Sequence, residues 1–187
     1  MMNKYYSLVV FGNNKKVNLK RLNKELELQK KQCLEFFKNQ IEIKINFFDN
    51  TITSFSEVSK VLSDFKGDIF ILLNNKYYPE HNWLKNIILS FYNSHHHILI
   101  GKVTENNLTE NNLLFNWFKQ EKNNQEDIFS EIRKFVGNCA LKKSFIQPIS
   151  CLLSVDNEDK KSCFKRIFRE IETEILYSEN VRVVKKL

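Results

Sequence analysis

The run Ile69-Phe-Ile-Leu-Leu73 constrains the fold of this chain more than any other stretch. It has the length of a strand and no polar alternation, and Gly67 and the triplet Asn74-Asn75-Lys76 bound it. Such a segment fits a strand buried on both faces inside a parallel sheet, the hallmark of an α/β protein. In open α/β sheets ligands bind just beyond the carboxyl ends of the strands, so Asn74, Asn75 and Lys76 stand where a site is expected. Pro79 closes their loop, and Trp83 and Leu84 open a helix expected over 82–92.

The flanking segments supply the partners such a strand needs. Residues 7–11 read as a first strand, ended by the turn signal Gly12-Asn13-Asn14-Lys15-Lys16. Leu19, Leu22, Leu26, Cys33, Phe36 and Phe37 then recur at helical spacing, which predicts a helix over 18–39 and with it the first half of a βαβ unit. In 41–48, Ile41, Ile43, Ile45 and Phe47 alternate with Glu42, Lys44 and Asn46, so this strand belongs towards a sheet edge, with Asp49-Asn50-Thr51 as its loop. A short helix is expected over 57–65 and a strand over 98–103. His95, His96 and His97 precede that strand, but successive residues of an extended chain point to opposite faces, so at most two could converge on a metal and a solvated loop is the simpler reading. The pattern weakens over 104–130, where Trp117 reads as a core residue. Asn157-Glu158-Asp159 opens a helix with Cys163, Phe164, Ile167, Phe168 and Ile171 on one face, and carboxylates suit a helix N-terminus. Residues 175–184 form a closing strand.

With 187 residues, 42% of them hydrophobic, the chain fills one core, and a single domain is expected over 1–187. The formal net charge of +7 is spread: lysines alternate with glutamates over 20–31 instead of forming one basic stripe with stacking aromatics, which argues against a nucleic-acid partner. Cys33, Cys139, Cys151 and Cys163 lack CxxC spacing and read as reduced core thiols. No apolar run approaches the roughly 20 residues that span a bilayer. Residues 1–6 lack the apolar core of a signal peptide, so a cytoplasmic protein without a transmembrane segment is expected.

In order and spacing the chain resembles the family 2 glycosyltransferases, the large group built on the GT-A fold. Their middle strand ends in an Asp-rich metal motif followed by Pro and then Trp-Leu; here Leu73, Pro79, Trp83 and Leu84 keep the frame, and Asn74, Asn75 and Lys76 replace the acids. Asn14 and Lys15 fall on the Asn-Arg of the family's first turn, and Asp49-Asn50 on the landmark whose Asp contacts the nucleotide base. Gly137-Asn138-Cys-Ala-Leu-Lys142-Lys143 looks like the segment beside the donor sugar, and Glu158-Asp159 with Lys165-Arg166 like the catalytic Glu-Asp and its following Arg. Lys185 falls near the position of a metal-binding His.

The resemblance implies a GT-A, Rossmann-like three-layer sandwich with a mostly parallel central sheet and helices on both faces. It divides the domain into a nucleotide-binding half, 1–103, and an acceptor and catalytic half, 104–187. It implies inverting transfer from a nucleotide-sugar donor to a glycan, lipid or protein acceptor, with Asp159 as base beside Glu158. Asn14, Asp49, Asn50, Asn74, Asn75, Lys76, Asn138, Lys143, Arg166 and Lys185 are then the donor-binding set. Neutral Asn is a poor ligand for Mg²⁺ or Mn²⁺, and Lys76 repels a dication, so Lys76 and Lys185 are expected to face the diphosphate where the family uses a metal. Two alternatives stand beside this: a non-catalytic GT-A-like binding or scaffolding module that has lost its metal site, and a basic nucleic-acid-binding α/β domain.

Overall fold

The computed structural model describes residues 4–12, 19–48, 66–92, 94, 96–105, 108–109, 137–144 and 175–185. The expected helices over 57–65 and from 157, the segment around Trp117, and His95, Cys151 and Cys163 lie outside the described residues.

The chain builds β1 (Lys4–Phe11), α1 (Leu19–Phe36), β2 (Ile41–Phe48), β3 (Ile69–Asn74), β4 (Tyr77–Pro79), α2 (Trp83–Tyr92), β5 (Ile98–Glu105), β6 (Leu108–Thr109), β7 (Asn138–Lys142) and β8 (Ile175–Lys185). The strands form one sheet in the order β2-β1-β3-β7-β5-β8-β4, with β6 attached to β5. As its alternating pattern requires, β2 lies at an edge, and β3 is buried on both faces from Ile69 to Leu73.

The sheet is mixed, which corrects the mostly parallel arrangement expected. Pairs β1–β2, β1–β3 and β5–β8 are parallel, but β7 runs antiparallel to both β3 and β5, as β4 does to β8 and β6 to β5. The apolar run of β3 could not reveal this, because burial on both faces demands neighbours on either side and not their direction.

Alternate strand residues face the two helices. Tyr6, Leu8 and Val10 of β1, Ile69, Ile71 and Leu73 of β3, Leu99 of β5 and Ala140 of β7 join Leu22, Leu26 and Cys33 of α1 and Trp83, Leu84, Ile87, Ile88 and Phe91 of α2 in one core. Both described helices thus share a face and pack on each other. On the opposite face Val9, Phe70, Leu72, Cys139 and Leu141 are equally buried, so the sheet is an inner layer.

Two local devices fix the helices. Lys38 and Asn39 take left-handed backbone (φ 50° and 57°), and the Asn39 amide donates to the Leu34 carbonyl at 2.9 Å, which closes the last turn of α1. Gln29, buried on α1, accepts from the Leu84 amide at 3.0 Å and donates to Glu25 and to the Glu80 carbonyl, so one helix caps the first turn of the other.

Candidate functional site

The register sets the carboxyl ends of three strands in a row: Phe48 lies beside Phe11, and Phe11 beside Asn74. The tip after β3 is built into that row. The Asn75 amide donates to the Phe11 carbonyl at 2.8 Å, and the Asn74 amide to the Gly137 carbonyl at 3.0 Å.

The side chains of the two tip asparagines serve the fold of the loop. Asn74 Oδ1 accepts from the Lys76 amide at 3.0 Å, an Asx turn that uses its side chain to shape its own loop. Asn75 is buried, and its carboxamide fills the space where a Cβ on Gly12 would project. Gly12, at φ +137°, is therefore required twice, for its backbone angle and for the room it leaves. Lys76 alone of the three is exposed, with its ammonium 4.8 Å from the centre of the Tyr77 ring.

β4 then returns along β8 with Tyr77 opposite Lys185, Tyr78 opposite Val184 and Pro79 opposite Val183. The backbone of Lys185 thus lies across from the neighbour of Lys76. The Glu80 amide donates to the Arg182 carbonyl at 3.0 Å, which ties the turn after β4 to the same strand.

Asn138 differs from its expected role. It starts β7 at the site end of the sheet, yet it is buried and its side chain is held by three hydrogen bonds: Oδ1 accepts from Trp83 Nε1 at 2.8 Å, and Nδ2 donates to the carbonyls of Lys102 and Val181, each at 3.0 Å. A Cβ on Gly101 would strike both this carboxamide and the Val181 carbonyl, so Gly101 leaves the passage through which Asn138 reaches β8. The β5–β8 register shifts at the same place, between Gly101 and Lys102. Asn138 is a joint between α2, β7, β5 and β8, with both donors of its amide committed and its oxygen buried on the Trp83 indole.

Lys143 is not brought to the tip. Because β7 runs antiparallel to β3, Lys142 pairs with Ile69, and the Lys143 amide donates to the Asp68 carbonyl at 2.8 Å. The length of β3, about 17 Å at roughly 3.3 Å per residue, separates it from Lys76. The parallel sheet expected from the sequence concealed this reversal. Asn14, Asp49, Asn50, Glu158, Asp159 and Arg166 lie outside the described residues.

The tip residues do not fit a divalent cation, since one amide oxygen is committed to a turn, the second amide is buried against Gly12, and the exposed group is an ammonium. Among the described residues, no three His, Cys, Asp or Glu side chains converge on a point. Sequence reasoning passed over Tyr77 and Tyr78. The signal was the aromatic pair directly after Lys76: Tyr77 carries the Lys76 ammonium, and Tyr78 carries the Arg21 guanidinium of α1 at 5.9 Å from its ring centre.

The architecture is that of nucleotide-sugar and nucleotidyl transferases of the GT-A type, and the likeness is one of fold. Glucosyl-3-phosphoglycerate synthase from Mycobacterium tuberculosis, solved with Mn²⁺, UDP and phosphoglyceric acid, aligns with 98% of this chain and 71% of its own, at 9% identity and a TM-score of 0.56. The 4-diphosphocytidyl-2C-methyl-D-erythritol synthase of Anaerococcus prevotii aligns over 95% of this chain and 89% of its own, at 13% identity and a TM-score of 0.51. S. aureus TarS aligns over 97% of this chain at 12% identity and a TM-score of 0.51, and the chain spans 60% of that fragment's length. In the TarS complex with UDP-GlcNAc the match spans 35% of that chain. No protein-family profile and no curated protein matches the sequence.

Proposed function

We propose that this chain is a glycosyltransferase-like protein that takes a nucleotide-sugar donor and holds its diphosphate with lysine in place of a metal. The observation that carries this reading is the pairing of Tyr77 with Lys185, which brings the strand bearing the second lysine beside Lys76 at the carboxyl edge of the sheet. The commitment of Asn74 to its own turn and the burial of Asn75 support it, because Lys76 is left as the exposed residue of the tip. The Mycobacterium tuberculosis synthase structure that shares the fold is a complex with UDP and Mn²⁺, which makes a uridine nucleotide the first donor to test.

In this mechanism Asp159, beside Glu158, takes the proton of the acceptor hydroxyl as its oxygen attacks the anomeric carbon from the face opposite the leaving group. The bond from that carbon to the diphosphate oxygen breaks, the nucleoside diphosphate departs, and the configuration inverts. Lys76 and Lys185 offset the charge that develops on the departing oxygen. Asp49 and Asn50 hold the base, and Asn14 and Arg166 complete the donor contacts.

The test is a titration of the purified protein with UDP-glucose and UDP-GlcNAc, with and without Mn²⁺, read by thermal stability. The reading predicts saturable stabilisation that does not need the metal. Binding that requires Mn²⁺ contradicts the lysine assignment, and no binding of any nucleotide sugar contradicts the donor assignment. Turnover abolished in Asp159→Asn with donor binding retained would place the base.

A further inference from the structure

The outer face of α2 is not the polar face that a helix covering a sheet ordinarily shows to water. Trp83, Leu84, Ile87, Ile88 and Phe91 are buried on its inner side, while Lys85, Leu89 and Tyr92 follow one another at i, i+4 and i+7 on the outer side. Leu89 is 43% exposed and Tyr92 38%. Phe36, at the end of α1 and 53% exposed, adjoins them. The Lys85 ammonium stands 3.6 Å from the centre of the Phe36 ring, Phe36 meets Phe37 edge to face at 5.0 Å, and Phe37 lies 5.6 Å from Tyr92. Two exposed rings and a leucine thus make one connected patch, not scattered apolar residues.

The charge around the patch is positive. Lys85 is the one charged residue of α2, the Lys4 ammonium lies 5.4 Å from the centre of the Tyr92 ring, and Lys38 is exposed two residues after Phe36. Glu35, beside Phe36 in sequence, is paired with Lys31 at 4.0 Å.

Area and sign together select the occupant. Rings of roughly 150–250 Å² that are about half exposed, with one leucine, offer a few hundred Å², short of the roughly 800 Å² per partner that a stable protein interface buries. A second copy docked by the same patch would also set these lysines against themselves. A bilayer surface needs neither the area nor a groove: aromatic rings settle at the level of the headgroups, leucine reaches the acyl boundary, and lysines meet anionic headgroups.

We propose that the patch of Phe36, Leu89 and Tyr92 docks on the surface of a membrane that contains anionic lipid. Lys4 at the start of β1 touches the patch and Phe36 precedes the start of β2, so the surface lies towards the end of the sheet where β3 enters. Docking there leaves the tip at Lys76 open, and the inference does not rest on the donor reading.

The test is flotation of the full chain with phosphatidylcholine vesicles, with and without phosphatidylglycerol. The proposal expects partitioning that needs the anionic lipid and weakens as salt rises. Combining Phe36→Ser with Leu89→Ser should lower it at least about tenfold, and Lys85→Gln about fivefold. Phe47→Ser, which removes an exposed ring at the far end of β2, and Lys44→Gln, which removes an exposed lysine of the same strand, should each stay within about twofold. Urea midpoints identify a variant that fails to fold; Lys38→Gln, at an exposed residue just after α1, then takes its place with the fivefold loss expected of Lys85→Gln. Absence of partitioning onto the anionic vesicles overturns the proposal, as does partitioning that the patch variants leave unchanged or that the two controls reduce equally. Concentration-dependent dimerisation without lipid that is lost in Leu89→Ser also overturns it, because the patch would then belong to a second copy.

Discussion

Where β3 enters the sheet, lysines are spent on the fold; where it leaves, a lysine is held out of it. At the entering end Lys142 Nζ donates to the Ser94 carbonyl at 3.2 Å, and Lys4 Nζ to the carbonyls of Phe91 and Tyr92, each at 3.3 Å, where it meets the last turn of α2. At the leaving end three amide side chains serve the fold: Asn74 shapes the tip, Asn75 fills the space over Gly12, and Asn138 joins four elements. Lys76 is left exposed against an aromatic ring. The same residue type thus has opposite uses at two ends of one strand. Backbone carbonyls decide the first use; at the leaving end the Asn138 amide, not a lysine, satisfies those of Lys102 and Val181.

The largest effect that would test this division is at Asn138. Asn138→Ala strands the Trp83 indole N–H and the carbonyls of Lys102 and Val181 in the core, and should cost about 3 kcal/mol or more in urea unfolding. A loss below about 1 kcal/mol would mean that the joint is not structural and would return Asn138 to the list of candidate ligand contacts.

Of comparable size is the response of the buried groups on the two faces of the sheet to alkali. Burial pushes the Cys33 thiol up to about 12, against a smaller downward pull from Lys85, and burial also raises Cys139 and, with the Tyr92 and Asp68 charges, Tyr6. These groups keep their protons in the folded chain after the unfolded chain has lost them. The Cys33 contribution is intact below the unfolded thiol value of 9.0 and is lost as pH rises from there towards about 12. Cys33 alone should lower stability by about 1.4 kcal/mol per pH unit in that window, measured as the urea midpoint against pH. A midpoint that is flat above pH 9 would show that the thiol is reached by water.

The smallest effect is expected at the entering end. Lys143 is exposed, and its amide, not its ammonium, makes the bond to Asp68, so Lys143→Gln should change stability by less than about 0.5 kcal/mol and leave UDP affinity within about twofold. A tenfold loss of UDP affinity in this variant would join the two ends that the geometry keeps apart.

Much of the scaffold was legible in the sequence because periodicity reports burial. The bounds of β2, the edge position of its alternating residues, the fully buried β3 and the start of α2 at Trp83-Leu84 all follow from apolar spacing. Strand direction does not, and the reversal of β7 moved Lys143 to the far end and turned Asn138 inward. A side chain's partner lies far away in sequence: Asn138 meets Trp83, 55 residues earlier, and Asn75 fits Gly12 through space alone. Lys76 was found correctly at the end of β3, but the Asx turn that shapes its loop and the ring beside it appear only when the tip is folded.

The most direct measurement of the central claim is the affinity for UDP of wild type and of Lys76→Gln, in chelator and in Mn²⁺. If lysine stands where related folds use a metal, wild type binds equally under both conditions and Lys76→Gln binds at least about tenfold more weakly under both, with its unfolding midpoint unchanged. Binding by wild type that appears only with Mn²⁺, or a Lys76→Gln variant that keeps full affinity, would contradict it.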